Sequence, residues 1–395
     1  MPSRSVPFGD AVALTRALVA VDSRNPSLAP DGPGEGECAE LLAHVLAEWG
    51  FEVALQDSGG GRPNVIARIG GAGTGRSLLL NGHLDTVGVD GMSHAPFEPA
   101  VSGGRLFGRG SADMKGGIAA MCAAAARAAR AGHSSGRGLP GQVIVTAVTD
   151  EEYRSQGTAA VLAAGIRADA AIVTEPTRLA ICPAHRGFVW LELIVHGHAA
   201  HGSRYDLGVD AITLASLVIA ELDAYQRDVL AMREHPLLGR PSLHASIIDG
   251  GIGLSTYPDR CTVQFERRTI TGERPEDFAV EVHAAIARVR ARRPELSAAV
   301  QLGFAQGPND VAESHPIVRA LLAALAAQTL PAPIEGLSCW TDAALLSAAG
   351  IPAICFGPGD IGLAHAAEEY VAVRDIEQAT ATLETLVGTW CGGGA

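Results

Sequence analysis

Apolar residues in the first half of the chain follow two alternating rhythms. Phe8 to Val21 and Glu37 to Trp49 carry them at intervals of three and four, the period of an amphipathic helix. Alanine-rich Ile118 to Ala131, with its arginines on one side, reads the same way. Between these lie short unbroken apolar runs. Ser77 to Leu80 stops abruptly at Asn81-Gly82-His83; Gln142 to Thr149 and Ala170 to Thr174 follow, separated by a short helical stretch at Thr158 to Ala164. Runs without a polar face belong to strands covered on both sides, so the alternation predicts a largely parallel sheet between helices. Gly59 to Gly61 and Gly70 to Gly75 read as loops.

From about Gly187 the rhythm changes. Phe188 to Val195 alternates like a half-exposed strand, Asp210 to Tyr225 is helical, and Ser242 to Ile248 and Cys261 to Thr269 are strands. Pro275 to Arg292 is a helix and Ala298 to Phe304 a last strand. Strand-helix-strand-strand-helix-strand is the order of a split βαβ unit. Afterwards Pro316 to Gln328 is helical and Ala353 to Phe356 returns to the buried-strand type. The expected architecture is therefore α/β: a mostly parallel-sheet domain from residues 1–184 and 309–395, interrupted by an α+β domain at 185–308. A length of 395 residues also favours two cores over one. No internal repeat is visible.

Composition narrows the function. With 47% hydrophobic and 18% charged residues the chain fills real cores. Its formal charge of −13 and pI near 5.4 argue against nucleic acid, whose phosphates need a basic face. No run reaches the ~18 to 20 apolar residues of a membrane helix, and Met1 to Asp10 lacks the pattern of a signal peptide. Cys38, Cys122, Cys182, Cys261, Cys339, Cys355 and Cys391 are scattered and never paired as Cys-x-x-Cys, which suits reduced thiols. The expectation is a soluble, cytoplasmic protein.

Histidines and carboxylates follow directly on apolar segments at His83-Leu84-Asp85, Glu151-Glu152, Glu175 and His365, and Asp113 lies in the glycine-rich Gly108 to Gly117, a loop leading into a helix. Taken singly, each has an ordinary explanation: a satisfied histidine, a solvated Glu-Glu pair, an N-capping Asp. Together they point to the crevice that forms at the carboxyl ends of strands in open α/β sheets. Imidazole and carboxylate donors suit zinc, with cobalt or manganese as substitutes. Two ions ~3.5 to 4 Å apart sharing a carboxylate lower the pKa of a water and hold both oxygens of a tetrahedral intermediate. A further carboxylate must then shuttle the proton to the leaving amine.

At Leu80 to Val87, Gly108 to Gly117, Thr149 to Glu152, Thr174 to Thr177, Gly197 to His201, Phe356 to Gly359 and Ala364-His365, the chain resembles the superfamily of acetylornithine deacetylase, succinyl-diaminopimelate desuccinylase, aminoacylase and glutamate carboxypeptidase. The resemblance runs through nearly the whole chain, in order. It implies a zinc-peptidase-like catalytic domain with an inserted ferredoxin-like lid and dimerisation domain. By it, His83 and Glu175 hold one zinc, Glu152 and His365 the other, and Asp113 bridges them with a cis peptide to Met114. Asp85 bonds the second nitrogen of His83, and Glu151 is the general base and then acid. His201 stabilises the oxyanion, with His196 and His198 as bystanders, and Arg268 grips a substrate carboxylate while Arg267 turns to solvent. Gly359 offers its backbone to the substrate. The implied protein is a homodimer with two Zn2+ per chain, acting on a small N-acyl amino acid or dipeptide.

Three departures touch specificity. Ser255 stands where many members carry asparagine, Tyr205 where proline is common, and Ser338-Cys339-Trp340-Thr341-Asp342 replaces a Gly-Gly-Thr-Asp-type turn, so that Trp340 lines a substrate pocket or fills a core. The alternatives are a dipeptidase or carboxypeptidase of the same superfamily, a silent binding protein, and a serine esterase. No donor or base is missing, which weighs against the second, and no Gly-x-Ser-x-Gly elbow follows a strand, which weighs against the third.

Overall fold

In the computed structural model the described residues are 6–71, 73–134, 136 and 138–392, so Met1 to Ser5 and Ala72 of the segments read above lie outside the described residues. The chain forms two compact units, one comprising the segment up to Pro183 with Val311–Glu335 and Thr341 onward, the other Ala184–Asp310 with Gly336–Trp340.

The first unit is built on a sheet whose centre is parallel. Strands Gln142–Val148, Leu78–His83, Ala170–Val173 and Ala353–Cys355 are neighbours in that order and all run the same way. Each is buried almost throughout, as strands with helices on both faces must be. Antiparallel strands flank this centre: Glu52–Asp57 and Pro63–Gly70 on one side, Ile181–His185 on the other. The register places His83 opposite Val148 and Asn81 opposite Val173. The strand ends are thereby level, and the residues that follow them emerge at one edge.

Helix Gly116–Ser134 is buried over most of its surface, and its alanines allow close packing against helices Ala11–Val19 and Val373–Trp390. The last of these was not read from the pattern. Its buried residues Ile376, Ala379, Leu383, Leu386, Val387 and Trp390 do keep helical spacing, but threonines and glutamates dilute the apolar signal.

The second unit is a four-stranded antiparallel sheet, in the order Ser242–Gly250, Arg260–Thr269, Gly187–His196, Ser297–Gln306, with helices Ala211–Asp228 and Pro275–Arg290. Asp210 caps the first helix by accepting the Thr213 N–H. Its core comprises Val189, Leu191, Leu193, Leu214, Val218, Val263, Phe265, Phe278 and Val282. Residues 336–340 fall in this unit, where Trp340 meets the rings of His185 and Phe188.

One expectation is reversed here. Arg267 does alternate with Arg268, but Arg267 takes the helix-covered face and is 2% exposed. Its guanidinium pairs with Glu273 and with Glu281 (3.0 Å), and Arg233 bonds both carboxylates too. A charge is tolerated inside because two carboxylates meet it. Arg267→Ala would leave them inadequately paired, and is expected to destabilise the protein by about 3 kcal/mol in thermal or urea unfolding. Arg268→Ala, on the open face, is expected to leave the unfolding midpoint nearly unchanged.

Candidate metal centre

The level strand ends bring the candidate donors of the first unit together. His83 closes its strand; Glu151 and Glu152 sit in the turn after Val148; Glu175 lies two residues beyond Val173. Asp113 comes from the loop Ser111–Lys115, ahead of helix Gly116–Ser134, and its peptide bond to Met114 is cis. Gly117 lets that helix begin beside Thr174: a Cβ there would stand 2.0 Å from the Thr174 carbonyl oxygen. Asp150 (φ 64°) and His365 (φ 61°) both occupy the left-handed region, an uncommon conformation for non-glycine residues that clusters at functional sites.

Asp113 lies between the two histidines. Its Oδ1 is 3.0 Å from His83 Nε2 and its Oδ2 is 3.5 Å from His365 Nε2. Glu152 Oε2 is 3.0 Å from the same His365 nitrogen, and Glu151 Oε2 is 4.0 Å from His83 Nε2. Donor atoms of His83, Glu151 and Glu175 lie within 4.8 Å of one another, as do those of His83, Asp113 and Glu152. His83 and Glu175 are buried, whereas His365 is half exposed.

Charge decides what this cluster can hold. Burial pushes Glu151 and Glu175 well above the usual carboxylate range; neighbouring carboxylates add to the effect and His83 opposes it. His83 is desolvated too, yet its bond to Asp113 and the surrounding negative charge hold it well above the ordinary imidazole value. Hydrogen bonds to Asp113 and Glu152 push His365 up to about 10. Asp113, although buried, is held well below its usual value by the two histidines. Four carboxylates against two imidazoles, all offering oxygen or nitrogen lone pairs, form a donor set whose natural complement is divalent cations. The residues fit a metal.

Residues 79–389 match the model of peptidase family M20/M25/M40. The chain belongs to this family. It is 32% identical over 344 residues to the acetylornithine deacetylase of Myxococcus xanthus, covering 86% of this chain and 87% of the relative. It is 28% identical over 412 residues to the N-formyl-4-amino-5-aminomethyl-2-methylpyrimidine deformylase of Bacillus subtilis, covering 97% and 95%. Among solved structures, a Bacillus subtilis protein described as a dinuclear metal-binding peptidase of the M20 family superposes with a TM-score of 0.74 at 16% identity, covering 96% and 97%. The chain is a metal-dependent hydrolase of the M20 family.

Within this M20 hydrolase Asp85 sits differently from expectation. His83 Nδ1 donates to the main-chain carbonyl of Asp85 at 2.9 Å, while the carboxylate Oδ1 lies 3.7 Å away. The tautomer is still fixed, leaving Nε2 free to coordinate. The Asp85 carboxylate instead accepts the backbone N–H groups of Glu151 (3.1 Å) and Glu152 (3.2 Å) and the Asn25 amide (2.9 Å), because the neighbouring turn brings those donors within its reach. Burial pushes its pKa up to about 7.

Several supporting residues escaped the sequence reading. Glu369, fully buried, accepts from Arg109 Nη1 and from the backbone N–H groups of Gly110, Ala112 and Asp113, and so holds the loop that presents Asp113. Arg62 bonds Glu35 and Asp150, and Asn25 bonds Asp150 and Asp85, tying the Asp150–Glu152 turn to the rest of the unit. Asp342 accepts from Thr158 at 2.6 Å, and burial pushes it up to about 6. Nothing local separates Glu369 from Glu368; only the tertiary fold does.

The remaining candidates are divided. Gly359 belongs to the first unit; it is buried, with φ 89° and its carbonyl bonded by the Arg178 N–H at 2.7 Å. His201, Ser255 and Arg268 belong to the second unit. His201 and Ser255 are exposed, and the Ser255 carbonyl accepts from the Gly202 N–H. Cys38, Cys122, Cys182, Cys261 and Cys391 are free thiols, and no helix of the described residues is long and apolar enough to cross a membrane.

Glu369→Ala is expected to weaken metal binding about 10- to 100-fold, read by competition with a chromophoric chelator. Added divalent metal is expected to raise the thermal midpoint of the chelated wild-type protein, since it binds only the assembled donor set. A midpoint indifferent to metal would contradict the assignment of the cluster.

Proposed function

We propose that the chain is a binuclear zinc amidohydrolase that removes the acyl group from an N-acyl amino acid in the cytoplasm. The observation that carries this reading is Asp113 with one oxygen toward each histidine, flanked by Glu151, Glu152 and Glu175. His83 and Glu175 would hold one ion, Glu152 and His365 the other, and Asp113 both. When bound, such a pair polarises the amide carbonyl and lowers the pKa of water. Two relatives with amide-cleaving names, a deacetylase and a deformylase, support release of a small acyl group.

The chain's own groups divide the remaining work. Glu151, part-buried beside His83 with a carboxyl pKa raised by desolvation, would take a proton from water and return it to the leaving amine. Asp85 positions it by holding its backbone N–H. His201 Nδ1 accepts the Ser203 backbone N–H at 3.2 Å, which puts the ring proton on Nε2 as a donor for the oxyanion. Arg268 would hold the substrate carboxylate, as guanidinium geometry favours. Ser255 and the backbone N–H of Gly359 would add polar contacts.

The second reading, a dipeptidase or carboxypeptidase, breaks the same bond type; a panel of acetyl-, succinyl- and aminoacyl-amino acids separates the two. Turnover confined to aminoacyl substrates would overturn the deacylase reading. A homodimer is also part of the proposal. Strand Ser242–Gly250 lies at the edge of its sheet and exposes Ile247 (57%) and Ile248 (55%) on its two faces, an edge suited to pairing with a second copy.

Glu151→Gln is expected to lower kcat by about 10²- to 10⁴-fold while metal content, by elemental analysis, stays at the wild-type value. Loss of metal along with activity would make Glu151 a ligand instead of the proton shuttle.

A further inference from the structure

The second unit presents an aromatic surface that the proposed chemistry does not use. In its sheet Phe188 stands directly opposite Arg268, and Trp190 opposite Glu266. Their neighbours Val189, Leu191, Phe265 and Arg267 are buried against the helices, so these four side chains share the other, open face. A register shift between Leu302 and Ala305 of the adjoining strand brings in Phe304. The rings form a continuous cluster: Phe188 to Trp190 at 5.2 Å, Phe188 to Phe304 at 5.8 Å, Trp190 to Phe304 at 6.0 Å, and Phe188 to Trp340 at 6.3 Å. Trp190 remains 42% exposed. With aromatics only 5% of the chain, an open cluster of four rings is not scattered surface hydrophobicity.

Charge gives this surface a direction. Glu266 accepts both the Trp190 indole N–H (3.1 Å) and the Arg268 Nε–H (2.6 Å), fixing the two side chains relative to each other. Arg268 Cζ lies 5.7 Å from the centroid of Phe188. A planar cation therefore borders the rings, with its Nε edge taken by Glu266. The adjoining depression, about 540 Å³, is lined by Trp190, Glu192, Gln264, Glu266, Leu302 and Phe304. That volume suits a small ligand. Arg268 and Glu266 are paired with each other at the border of the rings. A flat apolar group attached to a carboxylate satisfies both features.

We propose that this surface selects N-acyl amino acids whose side chain is aromatic or large and apolar, with Phe188, Trp190 and Phe304 as specificity-determining residues. The proposal rests on the reading of Arg268 as the group that holds the substrate carboxylate.

Binding without turnover tests the surface separately from the metal chemistry. In calorimetric titration of the chelated full-length protein, 3-phenylpropanoate is expected to bind at least about tenfold more tightly than propanoate. Trp190→Ala combined with Phe304→Ala is expected to abolish that difference, and Arg268→Ala to weaken both ligands alike. With metal restored, kcat/KM for N-acetyl-L-phenylalanine is expected to exceed that for N-acetylornithine and N-acetylglycine, and the double variant to lose this preference while keeping its activity on N-acetylglycine. Circular dichroism checks that each variant is folded. Equal or undetectable binding of the two acids, a preference that survives the double variant, or a higher kcat/KM for N-acetylornithine would overturn the proposal. If Arg268→Ala weakens neither ligand while the ring variants act as stated, the carboxylate reading of Arg268 fails and the apolar preference stands.

Discussion

Negative charge gathered at one edge of a parallel sheet is the constraint on which the rest of this structure depends. Asp113, Glu151, Glu152 and Glu175 converge with only two imidazoles among them, and Asp85 lies directly behind. Desolvated carboxylates repel one another and resist ionisation. Cations relieve that repulsion, so metal binding stabilises the folded chain. The level register of Leu78–His83, Gln142–Val148 and Ala170–Val173 brings the donors together, and surrounding hydrogen bonds hold the turn at left-handed Asp150.

Those surrounding bonds form a second set of charges that never meets the donors' open side. Glu369 gathers three backbone N–H groups and Arg109 beneath the Asp113 loop; Arg62 bonds both Glu35 and Asp150; Asn25 links Asp150 to Asp85. Each buried carboxylate there is met by donors, as burial requires. The two sets divide the work. One is left open to cations, and the other is closed by its own hydrogen-bond donors and so can hold its neighbours still.

The fold was legible in the sequence where burial is symmetrical. Leu78 to Leu80, Gln142 to Val148 and Ala170 to Val173 read as covered strands because nothing polar interrupts them, and the split βαβ order of the second unit followed from plain alternation. Legibility failed where partners lie far along the chain. Arg267 and Arg268 were separable by alternation, but which one faces the helices depends on Glu273 and Glu281. Strands Glu52–Asp57 and Pro63–Gly70 carry mixed polar residues at an edge, and helix Val373–Trp390 hides its stripe among threonines. In the site, the residues quoted as donors and base do converge within the first unit. Asp85 was assigned to the right neighbour by the wrong atom, since sequence spacing cannot distinguish a carboxylate from the carbonyl of the same residue. Glu369, Asn25 and Arg62 left no local trace at all.

The account stands or falls on the stoichiometry of the donor cluster. Elemental analysis of the purified full-length chain, paired with amide hydrolysis before and after chelation, tests it most directly. Two zinc equivalents per chain, with hydrolysis lost on chelation and restored by zinc or cobalt, is the predicted result. A single equivalent would contradict the bridging role of Asp113, and hydrolysis indifferent to chelation would contradict the metal centre itself.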